Sequence, residues 1–217
     1  MRNPFPLVPS AHPPHSFHRL DALVDAVIAI AATLLVLDLR VPAGVPPGHL
    51  GDALLDLWPK YLAYAFGFLQ IASAWLALRR VSTTHTGIDH FGTLVVLVML
   101  ATTTLVPFTT GVLADVLHDS EDLGAATRLA GVVVLATSVL FALLVAYLDR
   151  RGFVRPDLDM ERLTALRRAL PLLVALPLLA VLVSYLSPWA GLVMIAAMLL
   201  LCLWPLDVHA LPERPNG

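Results

Sequence analysis

Residues 19–42, RLDALVDAVIAIAATLLVLDLRVP, decide how the whole chain is read. The stretch is apolar enough to enter a bilayer, yet Asp25 sits in its first half. Alanines and a threonine crowd its centre, and it has no aromatic residue. An ionisable side chain at the centre of a membrane helix costs about 3 kcal/mol even on mild insertion scales, so it normally faces a polar partner. A helix that served only as an anchor would have little use for Asp25. The fold and the function both turn on what this helix faces.

Composition fixes the class. Of the 217 residues, 58% are hydrophobic and 14% charged, against roughly 25% charged in a soluble domain. The mean hydropathy is +0.80. Such a chain has too little polar surface to cover a soluble core, and a bilayer is its expected partner. The formal net charge of −2 argues against nucleic acid as a partner. The single cysteine, Cys202, excludes an intramolecular disulfide and a cysteine metal cluster. Residues 1–18 are rich in Pro and His and lack the apolar run of a secretory signal. They are expected to form a disordered cytoplasmic tail, in which His12, His15 and His18 have no ordered scaffold for a metal.

A hydrocarbon core of about 30 Å needs about 20 apolar residues as helix. Six segments qualify, approximately 22–39, 58–79, 92–114, 125–148, 165–186 and 189–206. Breaker-rich stretches separate them, among them RVPAGVPPGHLGD at 40–52 and DRRGFVRPDLDMER at 149–162. Only Ser187 and Pro188 part the last two, which predicts a helical hairpin. Pro171 and Pro177 are expected to bend the fifth span.

Six spans place both termini on one side. That side would hold Arg2, Arg19, Arg79, Arg80, Arg150, Arg151, Arg155, Arg162, Arg167, Arg168 and Arg214, eleven of the 14 basic residues. The other side would hold Arg40, Lys60 and Arg128. By the positive-inside rule both termini are then cytoplasmic, in a plasma-membrane protein. The domain reading is a cytoplasmic tail over 1–18, a six-helix transmembrane domain over 19–207 and a short cytoplasmic tail over 208–217.

At 100° per residue, Leu23, Ala26, Ile30, Thr33, Leu34 and Leu37 share one stripe of the first span, and Asp25 lies near the opposite side. Alanines at 22, 26, 29, 31 and 32 permit close approach by neighbours. The pattern predicts an inner helix with contacts all round. Periodicity alone leaves the stripe open to plain packing against other helices.

The same stretch resembles the first-helix signature of the transmembrane protein 175 family of potassium channels. That signature is an arginine, three residues, then Phe-Ser-Asp and an apolar run. Arg19 and Asp25 match, Leu23 and Val24 depart from it, and AVIAIAATLLVLDL at 26–39 follows it closely. LWPKYLAYAFGFL at 57–69 with Trp75 beyond it, and LVPFTTGVL at 105–113, are similar as well. The resemblance covers the first three spans. It implies an all-α polytopic membrane protein with six transmembrane helices per subunit, forming a homotetramer whose first helix lines a central pore.

By position, the resemblance makes Ile30 the hydrophobic constriction, continued outward by Leu34 and Leu37, with Thr33 as a selectivity layer. It groups Arg19, Asp25, Trp75, Asp89 and His90 in a structural polar network. Within it, Asp25 would pair with Arg19 or accept from the Trp75 indole. The implied function is a moderately selective potassium channel, gated by dewetting of apolar rings. Its partners are the lipid bilayer, further copies of the chain and potassium as the permeating ion, with no cofactor. Asp38 would lie near the outer mouth, either attracting cations or pairing with Arg40.

A secondary transporter is the main alternative, since transporters use broken helices, but the Pro-interrupted fifth span carries no midplane charge. A proton conductor would need a continuous relay, and no run of titratable groups crosses the membrane. An enzyme is disfavoured, because no nucleophile motif, metal-protease motif or phosphate loop is present.

Overall fold

The computed structural model describes residues 18–41, 43–117, 120–156 and 160–203. Most of both tails therefore lies outside the described residues. Within them the regular elements are all helical, eight α-helices and one 3-10 turn.

α1, His18–Leu34, starts with Asp21 in its first turn, where a carboxylate complements the helix dipole. It tightens into a 3-10 turn over Leu35–Asp38. The loop beyond turns at Gly44 and Gly48, whose φ of 80° and 88° suit glycine. A short helix, α2 (Leu50–Leu55), follows; the six-span reading has no place for it. α3, Trp58–Thr84, opens with Pro59 in its first turn, where a missing N–H costs nothing.

The third span is broken in two. α4 (His90–Thr103) and α5 (Val106–Val116) are separate helices. Pro107 explains the break, since its ring cannot donate and clashes with the carbonyl four residues back. The junction is held by the Thr104 N–H on the Leu100 carbonyl and the Leu105 N–H on the Thr102 carbonyl, at 2.9 and 3.2 Å. α6, Ser120–Arg150, is the longest helix at 31 residues. α7, Met160–Val183, stays helical across Pro171 and Pro177. α8, Pro188–Leu203, returns against it as the expected hairpin. The hairpin depends on Gly191: a Cβ there would lie 2.7 Å from Ser184 Cβ and 2.9 Å from the Ala180 carbonyl oxygen.

Each of the six apolar segments is thus helical over most of its length. Among the described residues, four helical stretches are long and apolar enough to cross a membrane: Arg19–Asp38, Leu50–Thr84, His90–Val116 and Glu121–Arg150. α8 is a shorter apolar helix.

The core has two parts. One joins α1, α3, α4 and α6 through residues such as Leu35, Ile71, Met99 and Leu144. The other joins α3, α5, α6 and α8 through Ala63, Leu113, Leu123 and Ile195. α1 meets the first core with one face only: Val24, Ile28, Ala31 and Leu35 are buried. The expected contacts on the remaining face are not supplied by the described residues of one chain. Among the described residues α1 packs against α3, α4 and α5, and its buried residues are those of the Val24–Leu35 side.

Candidate functional site

The uncovered face of α1 is the stripe read from the sequence. Leu23, Ile30, Leu34 and Leu37 are 44%, 60%, 43% and 54% exposed, and Ala26 and Thr33 lie exposed between them. The 3-10 turn helps to align this face. At three residues per turn, side chains three apart eclipse one another, so Leu37 stands almost directly above Leu34 rather than 60° away. Arg40 Nε closes the turn by donating to the Leu37 carbonyl at 3.0 Å. No ion pair joins Arg40 to Asp38 among the described residues. Asp38 instead leans on α5, where its Oδ2 would lie 3.2 Å from a Cβ at Gly111.

Thr33 donates its hydroxyl to the Ile30 carbonyl at 2.8 Å. The hydrogen therefore points back into the helix and the oxygen lone pairs stay outward, on the exposed face. A hydroxyl held this way is an acceptor for whatever meets the stripe.

The expected polar network divides. Trp75 Nε1 donates to Asp25 Oδ1 at 2.8 Å, tying α1 to α3. Of the two partners expected for Asp25, the indole is the one in place; Arg19 is exposed six residues earlier and makes no ion pair with it among the described residues. The Arg79 guanidinium sits 5.3 Å from the centre of the Trp75 ring, a distance at which a cation is attracted to the ring face. A groove of about 380 Å³ opens beside this contact, lined by Asp21, Asp25, Arg79, Ser82 and Arg155 among others.

Asp89 belongs elsewhere. It caps α4 by accepting from the Gly92 N–H at 2.9 Å. It also accepts from the Tyr147 hydroxyl at 2.5 Å and from Arg151 at 3.3 Å. Burial pushes this carboxyl's pKa up, but the three donors outweigh burial and hold it below the ordinary carboxylate range. His90, next in sequence, is exposed at the start of α4.

The residues that join the ends of α3, α6 and α7 carry no motif. His85 is 3% exposed; its Nδ1 lies 2.9 Å from the Thr84 hydroxyl and 3.2 Å from the Val81 carbonyl. Its Nε2 lies 3.5 Å from Asp149 Oδ1, while Arg167 Nε donates to Asp149 Oδ2 at 2.7 Å. Burial lowers the His85 pKa, and the Val81 carbonyl and Asp149 only partly offset it. Backbone pairing locks the same region: the Thr86 N–H reaches the Phe153 carbonyl at 2.7 Å, and the Arg155 N–H reaches the Thr84 carbonyl at 3.1 Å. The sequence signal for this cluster was slight, a histidine just after a span and acidic and basic residues ending another.

Membrane-crossing helices with polar ties at their ends, and one span whose apolar face is left open, define a polytopic helical membrane protein. Residues 19–107 match the model of the family described as "Endosomal/lysosomal potassium channel TMEM175". A potassium channel of Streptomyces collinus is 34% identical over 155 residues, covering 70% of this chain and 75% of that protein. A potassium channel of Chamaesiphon minutus is 34% identical over 181 residues, covering 79% and 85%. The crystal structure of a lysosomal potassium-selective channel TMEM175 homolog from Chamaesiphon minutus superposes with a TM-score of 0.75 at 28% identity. That match covers 88% of this chain and 97% of the solved one. The chain belongs to the TMEM175 family.

Proposed function

We propose that the protein is a potassium-favouring cation channel, a homotetramer of six-span subunits around a pore lined by α1. Both termini lie in the cytoplasm and the assembly sits in the plasma membrane. The carrying observation is the open stripe. Ile30, Leu34 and Leu37 project from the least-buried of the four membrane-crossing stretches, with 22% of the apolar window buried against 39–44% in the others. Lipid alone would satisfy such leucines and isoleucines. It would not reward a threonine among them whose oxygen faces outward.

Four copies of this face around one axis would stack apolar rings at Ile30, Leu34 and Leu37, with a ring of hydroxyl oxygens at Thr33. Narrow apolar rings empty of water and close. The hydroxyl ring offers a partial substitute for a hydration shell. Potassium sheds its shell at lower cost than sodium, so a weakly coordinating constriction of this kind favours it. Asp25 and Trp75 fix the rotation of α1 about its own axis, and hence which residues meet at the centre. The named relatives, potassium channels by description, support the same ion.

Flux into liposomes tests this reading. The wild type is expected to pass potassium faster than sodium. Ile30→Asn hydrates the constriction and raises the flux, whereas Thr33→Ala lowers the potassium-to-sodium preference. A protein that passes neither ion, with both variants equally silent, would end the channel reading and leave the stripe as lipid-facing surface.

A further inference from the structure

The bundle has a second polar feature, away from the α1 stripe. Gln70, in the middle of α3, is 4% exposed, and among the described residues neither its amide nitrogen nor its carbonyl oxygen has a partner. A primary amide carries two donors and two acceptor lone pairs, and buried groups of this kind are normally all satisfied. Gln70 faces a cavity of about 60 Å³ between α3, α4, α6, α7 and α8. Ser73, Thr137 and Ser138 also line it, and Arg80 stands at its edge. Met99, Phe141 and Met198 close its apolar side.

The hydroxyls are poised as acceptors. Ser73 donates to the Leu69 carbonyl at 2.8 Å and approaches the Leu199 carbonyl at 3.3 Å. Thr137 donates to the Val133 carbonyl at 2.9 Å. Each keeps its oxygen lone pairs. The Arg80 guanidinium, which donates to the Cys202 carbonyl at 2.9 Å, makes the cavity unsuitable for a cation. A neutral molecule that both donates and accepts meets every requirement of the lining.

We infer that this cavity binds a small cluster of water molecules, held by the Gln70 amide and the Ser73, Thr137 and Ser138 hydroxyls inside the helix bundle of one subunit. A water needs on the order of 15 Å³ by the same measure, so the space holds several. The membrane interior offers no bulk water, so these molecules are resident and hydrate α3 from within. No α1 residue among those described lines the site, so it is separate from the proposed pore and stands whether or not that pore conducts.

Hydroxyl-radical footprinting of the full-length protein in lipid nanodiscs, in ¹⁸O-labelled water, tests the assignment. Met99 is 0% exposed and is the reporter, because radicals made from resident water oxidise the side chains beside it. The wild type is expected to show ¹⁸O-labelled sulfoxide at Met99. Gln70→Leu removes the amide and should cut that labelling several-fold. Ser138→Val, a smaller change to the same lining, should lower it less. An unlabelled Met99 in the wild type overturns the proposal whatever the variants do. Equal labelling in wild type and a normally assembled Gln70→Leu protein overturns it as well.

Discussion

α1 and α6 are both apolar spans, and the structure uses them in opposite ways. α6 stands at the centre: 44% of its apolar window is buried, against 22% for α1. Leu144 and Leu148 have no exposure, and Ala130 has 1%. α1 gives one face to the core and leaves the other open. Apolar character therefore does not separate a structural helix from a functional one in a membrane, where lipid tails are as apolar as leucine and helices associate through close packing. The location of neighbours separates them. Leu144→Ala should cost about 2–5 kcal/mol, since it leaves a void that the bundle cannot fill. Ile30→Ala should cost about 1 kcal/mol or less, while still changing flux. Thermal unfolding in detergent measures both. Equal losses would mean that the α1 stripe is packed as tightly as the α6 core, and the comparison would collapse.

The tie between α1 and α3 gives a sharper version. Trp75→Phe keeps an aromatic ring, though a smaller one, and removes the N–H that Asp25 accepts, and solvent reaches Asp25 through the adjoining groove. The stability loss should be roughly 1 kcal/mol, the usual net contribution of one hydrogen bond. Asp25→Asn keeps an acceptor oxygen and should lose less. If this bond fixes the rotation of α1, as proposed, both variants should alter potassium flux more than their stability losses would suggest. Unaltered flux in Trp75→Phe would mean that the indole contact packs α1 without setting its rotation.

Much of this was legible in the sequence, for physical reasons that can be named. The six apolar segments follow from length alone, and the stripe from the 3.6-residue period, since Ile30, Thr33 and Leu34 recur at helical spacing. Pro107 carries a plain signal for the break between α4 and α5, but a segment long enough to span hid it. The covered and open sides of α1 were not legible, because periodicity lists faces without saying which one a neighbour takes. Asp89 was grouped with Asp25 by the family resemblance, not by any spacing in the chain. Its true partners, Tyr147 and Arg151, lie some sixty residues on, and separation in sequence carries no trace of that contact. The unpartnered Gln70 was equally silent, since a single glutamine in a span reads as an ordinary interhelical hydrogen bond.

The smallest expected effect comes from the end of α6. Asp149 closes that helix against Arg167 and the buried ring of His85, whereas the end of α1 near Asp25 opens onto a groove. The His85 pKa lies below its ordinary value because burial disfavours the charged form. Between that lowered value and about 6.5, the unfolded chain binds a proton that the folded chain does not. Stability therefore rises with pH across this window. It is intact above about pH 6.5 and is lost as the pH falls toward the folded pKa. The wild type should show a lower thermal midpoint at about pH 5.5 than at about pH 7.5, and His85→Gln should flatten that slope. Asp89 does not confuse the reading: its lowered pKa means that its contribution persists until the pH falls below the ordinary carboxylate range. If the His85→Gln profile parallels the wild type, proton uptake at the end of α6 is not linked to folding, and the closed end of α6 and the open end of α1 respond to acid alike.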